Sequence, residues 1–262
     1  GTVTIEDEGN GVRKMTVTIN CFFTVNIGGL PLQNSNFTGQ MVAYANISQP
    51  AQVVNSYVYH GGFGLIPDDR IDTGKVVAKE GSGPTFLSYS NLINTSRGIN
   101  GLVFDIQDLR NGKELGPDDF EVQISPTDDF NPMKNPPEDW PTLGTAPTLT
   151  VTPGSPDRVR IEWPNFTIMN RWLRLTIKAN DRTGLATPET YYLGHLLGET
   201  TGLSGSFYSV SFADVSPIRS DIGLIVDANS TTDIDKSGSV TFADISAMRA
   251  NVGKLLTNII IP

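Results

Sequence analysis

The sequence lacks most of the residues from which catalytic and metal centres are commonly built. Cys21 is the one cysteine, so the chain can form no internal disulfide and has no cysteine-based zinc or haem motif. Apolar residues alternate along the sequence around Cys21, which predicts that Cys21 is buried in a strand. The two histidines, His60 and His195, are far apart, and each lacks a companion at catalytic spacing. Gly-x-Ser-x-Gly, Walker and His-Glu-x-x-His motifs are absent as well. We therefore expect structural histidines and a protein that is not an enzyme.

A long apolar run and an excess of positive charge are also missing. No stretch of eighteen apolar residues occurs among the 262 residues, so the sequence predicts no membrane span. The formal net charge of -9 disfavours nucleic acid as a partner, because its phosphates would be repelled. Such a chain is long enough for one large β domain plus a small one.

Short strands joined by glycine, proline and asparagine turns dominate the first 190 residues. Residues 14–27, 52–59 and 172–178 are enriched in β-branched and aromatic side chains, and the first of these alternates with period two. No helix of substantial length is expected before residue 190. Many short strands at intervals of about eight to twelve residues predict a mainly β fold, a two-sheet β-sandwich.

The stretch 233–244 has the pattern of a calcium loop. A hard cation such as Ca²⁺ takes about six to eight oxygen ligands, which a loop supplies by alternating side chains inward around a sharp turn. Gly238 would permit that turn. The predicted ligands are Asp233, Asp235, Ser237, Ser239 through its backbone carbonyl, Thr241 through a water molecule, and Asp244. Because the gathered carboxylates repel one another without an ion, we expect calcium to order the helices.

The loop belongs to an internal repeat. Residues 209–223 recur thirty positions later as residues 239–253, with eight of fifteen positions identical. Each copy begins its helix with a capping box: Ser211 with Asp214, and Thr241 with Asp244. Pro217 lies inside the first predicted helix and removes a backbone donor, so that helix should be short or bent.

The loop, the helix with its apolar stripe of Ile245, Met248 and Val252, and the near-twofold repeat resemble a dockerin. Dockerins are calcium-binding modules with EF-hand-type loops that plug enzymes into cohesin β-sandwiches. The resemblance covers about residues 195–262. It implies a small α-helical calcium-binding module at 191–262 behind a β-sandwich at 1–190, an extracytoplasmic location, and a protein as the partner.

The first copy departs from the dockerin pattern. Counting back from Asp214 places four residues without suitable side chains at loop positions 1, 3, 5 and 6: Leu203, Gly205, Phe207 and Tyr208. Either this loop, residues 203–214, is free of metal and packed by its aromatic residues, or it uses a rearranged set that includes Glu199 and Asp214.

The β-rich part has a resemblance of its own. Residues 89–102, 157–163, 171–177 and 183–200 are similar to the C-terminal region of large secreted proteins from planctomycete-type bacteria. In those proteins a sandwich precedes a degenerate dockerin pair. This resemblance implies the architecture and a bacterial, secreted origin. It implies no activity.

Two further segments leave alternatives open. Asp68, Asp69 and Asp72 form either a second calcium site or an ordinary solvated loop. The apolar tail, residues 255–262, either packs on the sandwich or adds to the sheet edge of a neighbouring molecule.

The sequence as a whole predicts a non-catalytic calcium-binding scaffold that associates with another protein or with another copy of itself. Such association would build a head-to-tail array or tether a larger enzyme complex. The alternative is a carbohydrate-binding module attached to a secreted hydrolase. For that alternative Trp140, in a proline-rich loop, is the best exposed candidate for stacking on a sugar, whereas Trp163 and Trp172 should lie in the core.

Overall fold

The computed structural model describes the chain except for residues 10–11, 28–29, 47–48, 82 and 127–129, and except for the side chains of residues 7–13, 22–37 and 45–48. The chain divides into two compact units, Gly1–Pro50 and Ala51–Pro262. The predicted boundary between residues 190 and 191 falls inside a strand of the second unit, Glu189–His195. Within the described part of the chain, no helix has the length and apolar character needed to cross a membrane.

The first unit is a three-stranded antiparallel sheet in the order β1-β2-β3. Its strands are β1 Thr2–Gly9, β2 Val12–Ile27 and β3 Leu30–Asn46. Val3 lies opposite Val17, which in turn lies opposite Met41, so these apolar side chains share one face of the sheet. None of the described side chains of this unit is buried. Cys21 accordingly lies in β2 as expected but is exposed, so the prediction that it is buried is wrong.

Among the described residues, the second unit contains the remaining strands and two α-helices, and the prediction of a mainly β chain is confirmed. Its strands are β4 Gln52–Tyr59, β5 Ile71–Asp72, β6 Ala78–Lys79, β7 Thr85–Phe86, β8 Leu92–Ile93, β9 Gly101–Gln107, β10 Phe120–Ile124, β11 Thr148–Thr152, β12 Asp157–Glu162, β13 Trp172–Ile177, β14 Glu189–His195, β15 Leu203–Ser204, β16 Phe207–Ser209, β17 Leu255–Thr257 and β18 Ile260–Ile261. The α-helices are α1 Val215–Asp221 and α2 Phe242–Arg249. Short 3-10 helices span Pro67–Arg70, Tyr89–Asn91, Gly112–Glu114, Pro117–Asp119, Pro137–Asp139 and Phe212–Asp214.

Two five-stranded sheets of this unit, here called the core sheets, share one hydrophobic core. One has the order β11-β12-β9-β4-β5, and the other has the order β10-β13-β14-β6 with β8 parallel to β14. Residues two apart along a strand point to the same face, so alternate apolar residues turn inward from each sheet. The innermost are Leu102, Phe104 and Ile106 of β9 with Leu173, Leu175 and Ile177 of β13. This arrangement is compatible with the predicted sandwich.

The two α-helices share a second hydrophobic cluster with strands β13 and β14. Ile218 of α1 and Met248 of α2 are fully buried there together with Trp172 and Tyr192. Apolar side chains of this size each contribute about 1.5–3 kcal/mol when buried. Helix packing and sheet packing therefore stabilise the same unit.

The helix starts follow the predicted caps. The Thr241 hydroxyl oxygen accepts the Ala243 N–H at 3.1 Å, and Asp244 Oδ2 accepts the Thr241 N–H at 2.7 Å, which completes the capping box of α2. In the first copy a 3-10 turn precedes α1, which is only seven residues long, as expected for a short helix. Pro217 is the third residue of α1, where a backbone N–H would have no partner within the helix.

The apolar tail packs on its own chain. Strand β17 pairs with β16, and β18 pairs with β7. Leu256, Ile259 and Ile261 are each at most 1% exposed. Of the two alternatives for the tail, the structure thus has the packed one.

Candidate metal centre

Three aspartates converge in the stretch 233–244, here called the cation loop. Asp233, Asp235 and Asp244 each offer a carboxylate oxygen, and these atoms all lie within 4.8 Å of one another. Asp233 and Asp244 are fully buried, while Asp235 is half-buried. Within the described part of the chain, no other three acidic, histidine or cysteine side chains come together in this way.

A tight turn between the first two aspartates and the helix holds them in place. Gly238 has a φ of +89°, in the left-handed region that glycine adopts most readily, so its predicted role in the turn is confirmed. Lys236 also has a positive φ, +54°. Asp233 accepts the Ser237 N–H at 3.0 Å through Oδ1 and the Gly238 N–H at 2.9 Å through Oδ2. Backbone donors thus fix the carboxylate of Asp233 on the inside of the turn.

Asp244 brings the helix start to the same point. Its Oδ1 accepts the N–H groups of Ile234 at 2.7 Å and Asp235 at 3.1 Å, and its Oδ2 accepts the N–H of Thr241. The Thr241 hydroxyl, 3.2 Å from Oδ2, supplies a fourth donor. Because a carboxylate has about four acceptor sites, an ion bound by Asp244 would replace one of these donors.

Asp233 and Asp235 have more acceptor capacity left. Asp233 accepts two backbone N–H groups, and Asp235 accepts one, from Ser237 at 2.9 Å. With about four acceptor sites on each carboxylate, about five sites on this pair stay open to an ion. Oxygen donors of this kind are the ligands that Ca²⁺ and Mg²⁺ prefer. The donor set therefore fits a hard divalent cation.

The other predicted ligands lie around the same turn. The Ser237 hydroxyl donates to the Ser239 carbonyl oxygen at 3.1 Å, so these two predicted oxygen ligands are neighbours. The Thr241 hydroxyl serves the helix cap and contacts Asp244. Such a side chain would reach an ion through a water molecule more readily than directly.

Burial and charge make the carboxylate cluster receptive to a cation. Burial raises the pKa of Asp233 to about 6, and the neighbouring Asp235 adds to this shift, although the N–H groups of Gly238 and Ser237 oppose it. Lys236 is itself buried, and its ammonium group donates to the carbonyl oxygens of Ala228 and Ser230. Burial also lowers the pKa of Lys236. A divalent ion among the carboxylates would favour their charged forms.

The first copy of the repeat forms a related arrangement with a different spacing. Asp214 Oδ1 accepts the N–H groups of Thr200 at 2.6 Å and Thr201 at 3.2 Å. In the second copy, Asp244 Oδ1 likewise accepts the N–H groups of the two residues that follow Asp233. Glu199, and not Leu203, is thus the counterpart of Asp233, and the structure brings together the two acidic residues of the rearranged alternative.

The Thr201 hydroxyl lies between the two acidic groups of the first copy. It is 3.0 Å from Glu199 Oε1 and 3.2 Å from Asp214 Oδ1, and Thr201 is the counterpart of Asp235. Burial raises the pKa of Glu199, and the charge of Asp214 raises it further. The first copy thus has two carboxylates and a bridging hydroxyl where the second has three carboxylates.

The acidic segment at residues 68–72 does not gather its carboxylates. Asp72 is buried, with Oδ2 3.1 Å from His60 Nε2 and Oδ1 accepting the Gly74 N–H at 2.8 Å. The exposed Asp68 lies 3.4 Å from Arg158. These contacts do not favour a second ion site. Asp68 lies on the surface, as the solvated-loop alternative has it, whereas the buried Asp72 is bonded within a structural turn.

Both histidines have structural surroundings. His195 Nδ1 accepts the Asn170 N–H at 2.8 Å, and Nε2 donates to the Thr95 carbonyl oxygen at 2.7 Å. Burial lowers the pKa of His195 to about 4, and burial does the same for His60, so both rings are neutral at pH 7. The two ring nitrogens of His195 are both bonded to the backbone, which leaves neither free for proton transfer, and His60 is bonded to the buried Asp72.

The three tryptophans are buried. Trp140 is 2% exposed, its indole N–H donates to the Asn135 carbonyl oxygen, and the rings of Phe130 and Trp140 pack in a T-shaped arrangement. The prediction that Trp140 is exposed is therefore wrong, because its proline-rich loop folds over the cluster that contains the helices. Trp163 and Trp172 lie in the core, as predicted.

Comparisons of the chain with protein-family models, with curated proteins and with solved structures give no match. The dockerin resemblance and the planctomycete resemblance therefore stay predictions. The donor atoms define the site by themselves: three carboxylates in a glycine-containing turn directly before a capped helix.

Proposed function

We propose that this protein is a non-catalytic calcium-binding protein that associates with another protein or with another copy of itself. The observation that carries the proposal is the convergence of Asp233, Asp235 and Asp244 within 4.8 Å. Carboxylates held this close repel one another, and a divalent cation removes that repulsion while bridging them. Calcium is the best candidate because the loop offers only oxygen ligands, and Ca²⁺ accepts these in a less strict geometry than Mg²⁺ does.

The surface next to the cation loop is suited to association. Phe242 follows Thr241 directly in the loop, and Phe212 is its counterpart in the first copy of the repeat. Their side chains are 72% and 74% exposed. Aromatic side chains are enriched at the centres of protein interfaces. Because Phe212 and Phe242 occupy equivalent positions in the two copies of the repeat, they offer two similar contact points to a partner. An ion in the loop would fix the start of α2 and with it the position of Phe242.

The finer architecture and the location belong to the same proposal. We infer a two-sheet β-sandwich joined to a dockerin-like helical module, and an extracytoplasmic protein from a bacterium. A loop with three carboxylates and serine ligands would bind calcium weakly, and weak loops work where calcium is millimolar, as it is outside cells. Head-to-tail association of copies and tethering of a larger enzyme complex are the two forms of assembly that we expect.

Titration calorimetry with Ca²⁺ tests the proposed site. We expect uptake of one ion by the cation loop, and we expect Asp235→Asn to weaken the affinity by about tenfold or more. Asp227→Asn is the matched control, because Asp227 is an exposed aspartate close in sequence and outside the cluster. Loss of its charge should change the affinity by less than about twofold. Absence of calcium uptake by the unaltered chain would refute the proposal.

Sedimentation velocity with calcium and with a chelator tests association. We expect larger species only with calcium, and we expect Phe242→Ser to abolish them while leaving calcium uptake intact. Association that ignores calcium would refute the coupling. The carbohydrate alternative loses its best candidate for stacking on a sugar, because Trp140 is buried.

A further inference from the structure

A turn next to the core sheets donates hydrogen bonds to the backbone carbonyl groups of the cation loop. Residues 94–97, here called the 94–97 turn, follow β8. The Ser96 N–H donates to the Ile234 carbonyl oxygen at 2.7 Å. Arg97 donates through Nε to the Asp235 carbonyl oxygen and through Nη2 to the Lys236 carbonyl oxygen, both at 3.2 Å. Three successive carbonyl groups of the loop are therefore bonded by two successive residues of the turn.

These carbonyl groups belong to the peptide units that hold the aspartates. The peptide between Ile234 and Asp235 accepts from Ser96 on one side, and on the other side its N–H donates to Asp244 Oδ1. The N–H and C=O of a trans peptide point in opposite directions. A donor that fixes the carbonyl outward thus directs the N–H inward, toward the carboxylates.

Arg97 acts in the same way on the peptide between Lys236 and Ser237. Its guanidinium bonds the Lys236 carbonyl oxygen, and the Ser237 N–H of that peptide donates to Asp233 Oδ1 and to Asp235 Oδ1. One arginine thereby sets the orientation of the donor that two of the three carboxylates share.

The turn is itself anchored to the core sheets. Arg97 Nη1 donates to the Gly61 carbonyl oxygen at 2.9 Å, just after β4. Asn94, which is buried, donates through Nδ2 to the carbonyl oxygens of Glu199 and Thr231, so it links the turn to Glu199 and to the residue two positions before the cation loop. A planar guanidinium with donors in a fixed fork suits this bridging role better than an ammonium group.

We propose that Arg97 is a positioning residue for the cation, and that ion binding in the loop and the stability of the core sheets are coupled through the 94–97 turn. This inference rests on the proposed calcium site. Residues that orient metal ligands without touching the metal commonly change its affinity by about 10–100-fold when they are altered. No local pattern in the cation loop reveals such a residue, because Arg97 is 138 positions away from Asp235.

The sign of the effect separates positioning from simple charge. Arg97 brings a positive charge near a cation site, so if its charge alone mattered, Arg97→Ala would strengthen calcium binding. If its hydrogen bonds matter, Arg97→Ala and Arg97→Lys both weaken binding, because lysine keeps the charge but cannot span two carbonyl groups and Gly61 together. The two explanations thus predict opposite results for the alanine variant.

Calorimetric titration of the full chain with Ca²⁺ tests the proposal. We expect Arg97→Ala and Arg97→Lys each to weaken the affinity by about tenfold. Arg171→Ala is the matched control, because Arg171 donates to two backbone carbonyl groups, of Ser125 and Pro126, away from the loop. It should leave the affinity within about twofold of the unaltered chain.

Thermal unfolding provides a second measurement on the same variants. Calcium should raise the melting temperature of the unaltered chain and of Arg171→Ala, and it should raise that of the Arg97 variants clearly less. If Arg97→Ala does not fold, Arg97→Lys decides the question. Unchanged or tighter binding by the Arg97 variants, beside normal binding by the unaltered chain, would overturn this inference alone. A lack of binding by the unaltered chain would overturn the proposed function as well.

Discussion

Gly198 is a point of very close contact between helix α2 and the turn that follows β14. Its φ of +83° lies in the left-handed region. A Cβ placed there would stand 2.8 Å from Met248 Cα and 2.8 Å from Met248 Cγ, closer than such atoms approach in proteins. Gly198→Ala must therefore either displace α2 or change the backbone at residue 198. Both responses should destabilise the second unit.

The loss of stability expected for Gly198→Ala has two parts. A non-glycine residue in the left-handed region costs about 1–2 kcal/mol, and forcing extra atoms into a packed contact costs about 1–3 kcal/mol more. We expect Gly198→Ala to lower the free energy of unfolding by about 2–5 kcal/mol. At about 2–4 °C per kcal/mol for a unit of this size, the melting temperature should fall by about 4–20 °C. Circular dichroism during heating and urea titration would measure both quantities.

Gly253→Ala is the control that isolates the contact. Gly253 has a φ of +90°, and a Cβ there would meet no atom within 4 Å. Gly253→Ala should therefore lower the free energy of unfolding only by the cost of the left-handed backbone, about 1–2 kcal/mol. If the two variants lose equal stability, α2 does not rest on Gly198, and the reasoning from the close contact with Met248 fails.

Two further predictions concern the buried parts of the second unit. Because burial lowers the pKa of His195 from 6.5 to about 4, the unfolded chain binds a proton in this window that the folded chain does not. The free energy of unfolding should then fall on acidification from about pH 6.5 to 4, by up to about 1.4 kcal/mol per pH unit for this residue. Urea titrations of His195→Gln at several pH values should lack that part of the slope, and an equal slope would contradict the assignment. In the tail, Ile261→Ala should lower stability by about 2–4 kcal/mol, since the side chain is 1% exposed. The neighbouring Ile260 is 47% exposed, so Ile260→Ala should lower the free energy of unfolding by less than about 1 kcal/mol. Similar losses of stability in the two variants would argue against the packed tail.

The parts of the fold and of the candidate site that the sequence predicts correctly depend on residues close together in the chain. The turn at Gly238 and the convergence of Asp233 with Asp244 depend on twelve consecutive residues, so their spacing alone carries the information. The capping box of α2 depends on four residues, Thr241 to Asp244. The alternating strands β9 and β13 also follow from their own residues, because period two decides which side chains face the core.

Contacts between distant segments could not be predicted in this way. Nothing near Arg97 indicates that its guanidinium bonds the carbonyl groups of residues 235 and 236. Trp140 lies in a proline-rich loop, which by itself favours exposure, yet Phe130 and Tyr192 pack against it. The end of β14 at His195 depends on pairing with β13 and β8, and no composition change at residue 190 or 195 marks it.

The first copy of the repeat shows how a change in length redirects a duplicated loop. Glu199 and Asp214 are fifteen positions apart in sequence, against eleven for Asp233 and Asp244. The longer span contains the hairpin of β15 and β16, and β16 pairs with β17. The twelve-residue loop makes one antiparallel bridge at the equivalent position, between Ser239 and Ile225, whereas the longer loop pairs three residues of β16 with β17 of the C-terminal tail. The hydroxyl of Thr201 between the two carboxylates supplies a donor that serves as a local substitute for the third aspartate. The added length thus gave the first copy a longer strand pairing, while the second copy has the turn with three carboxylates.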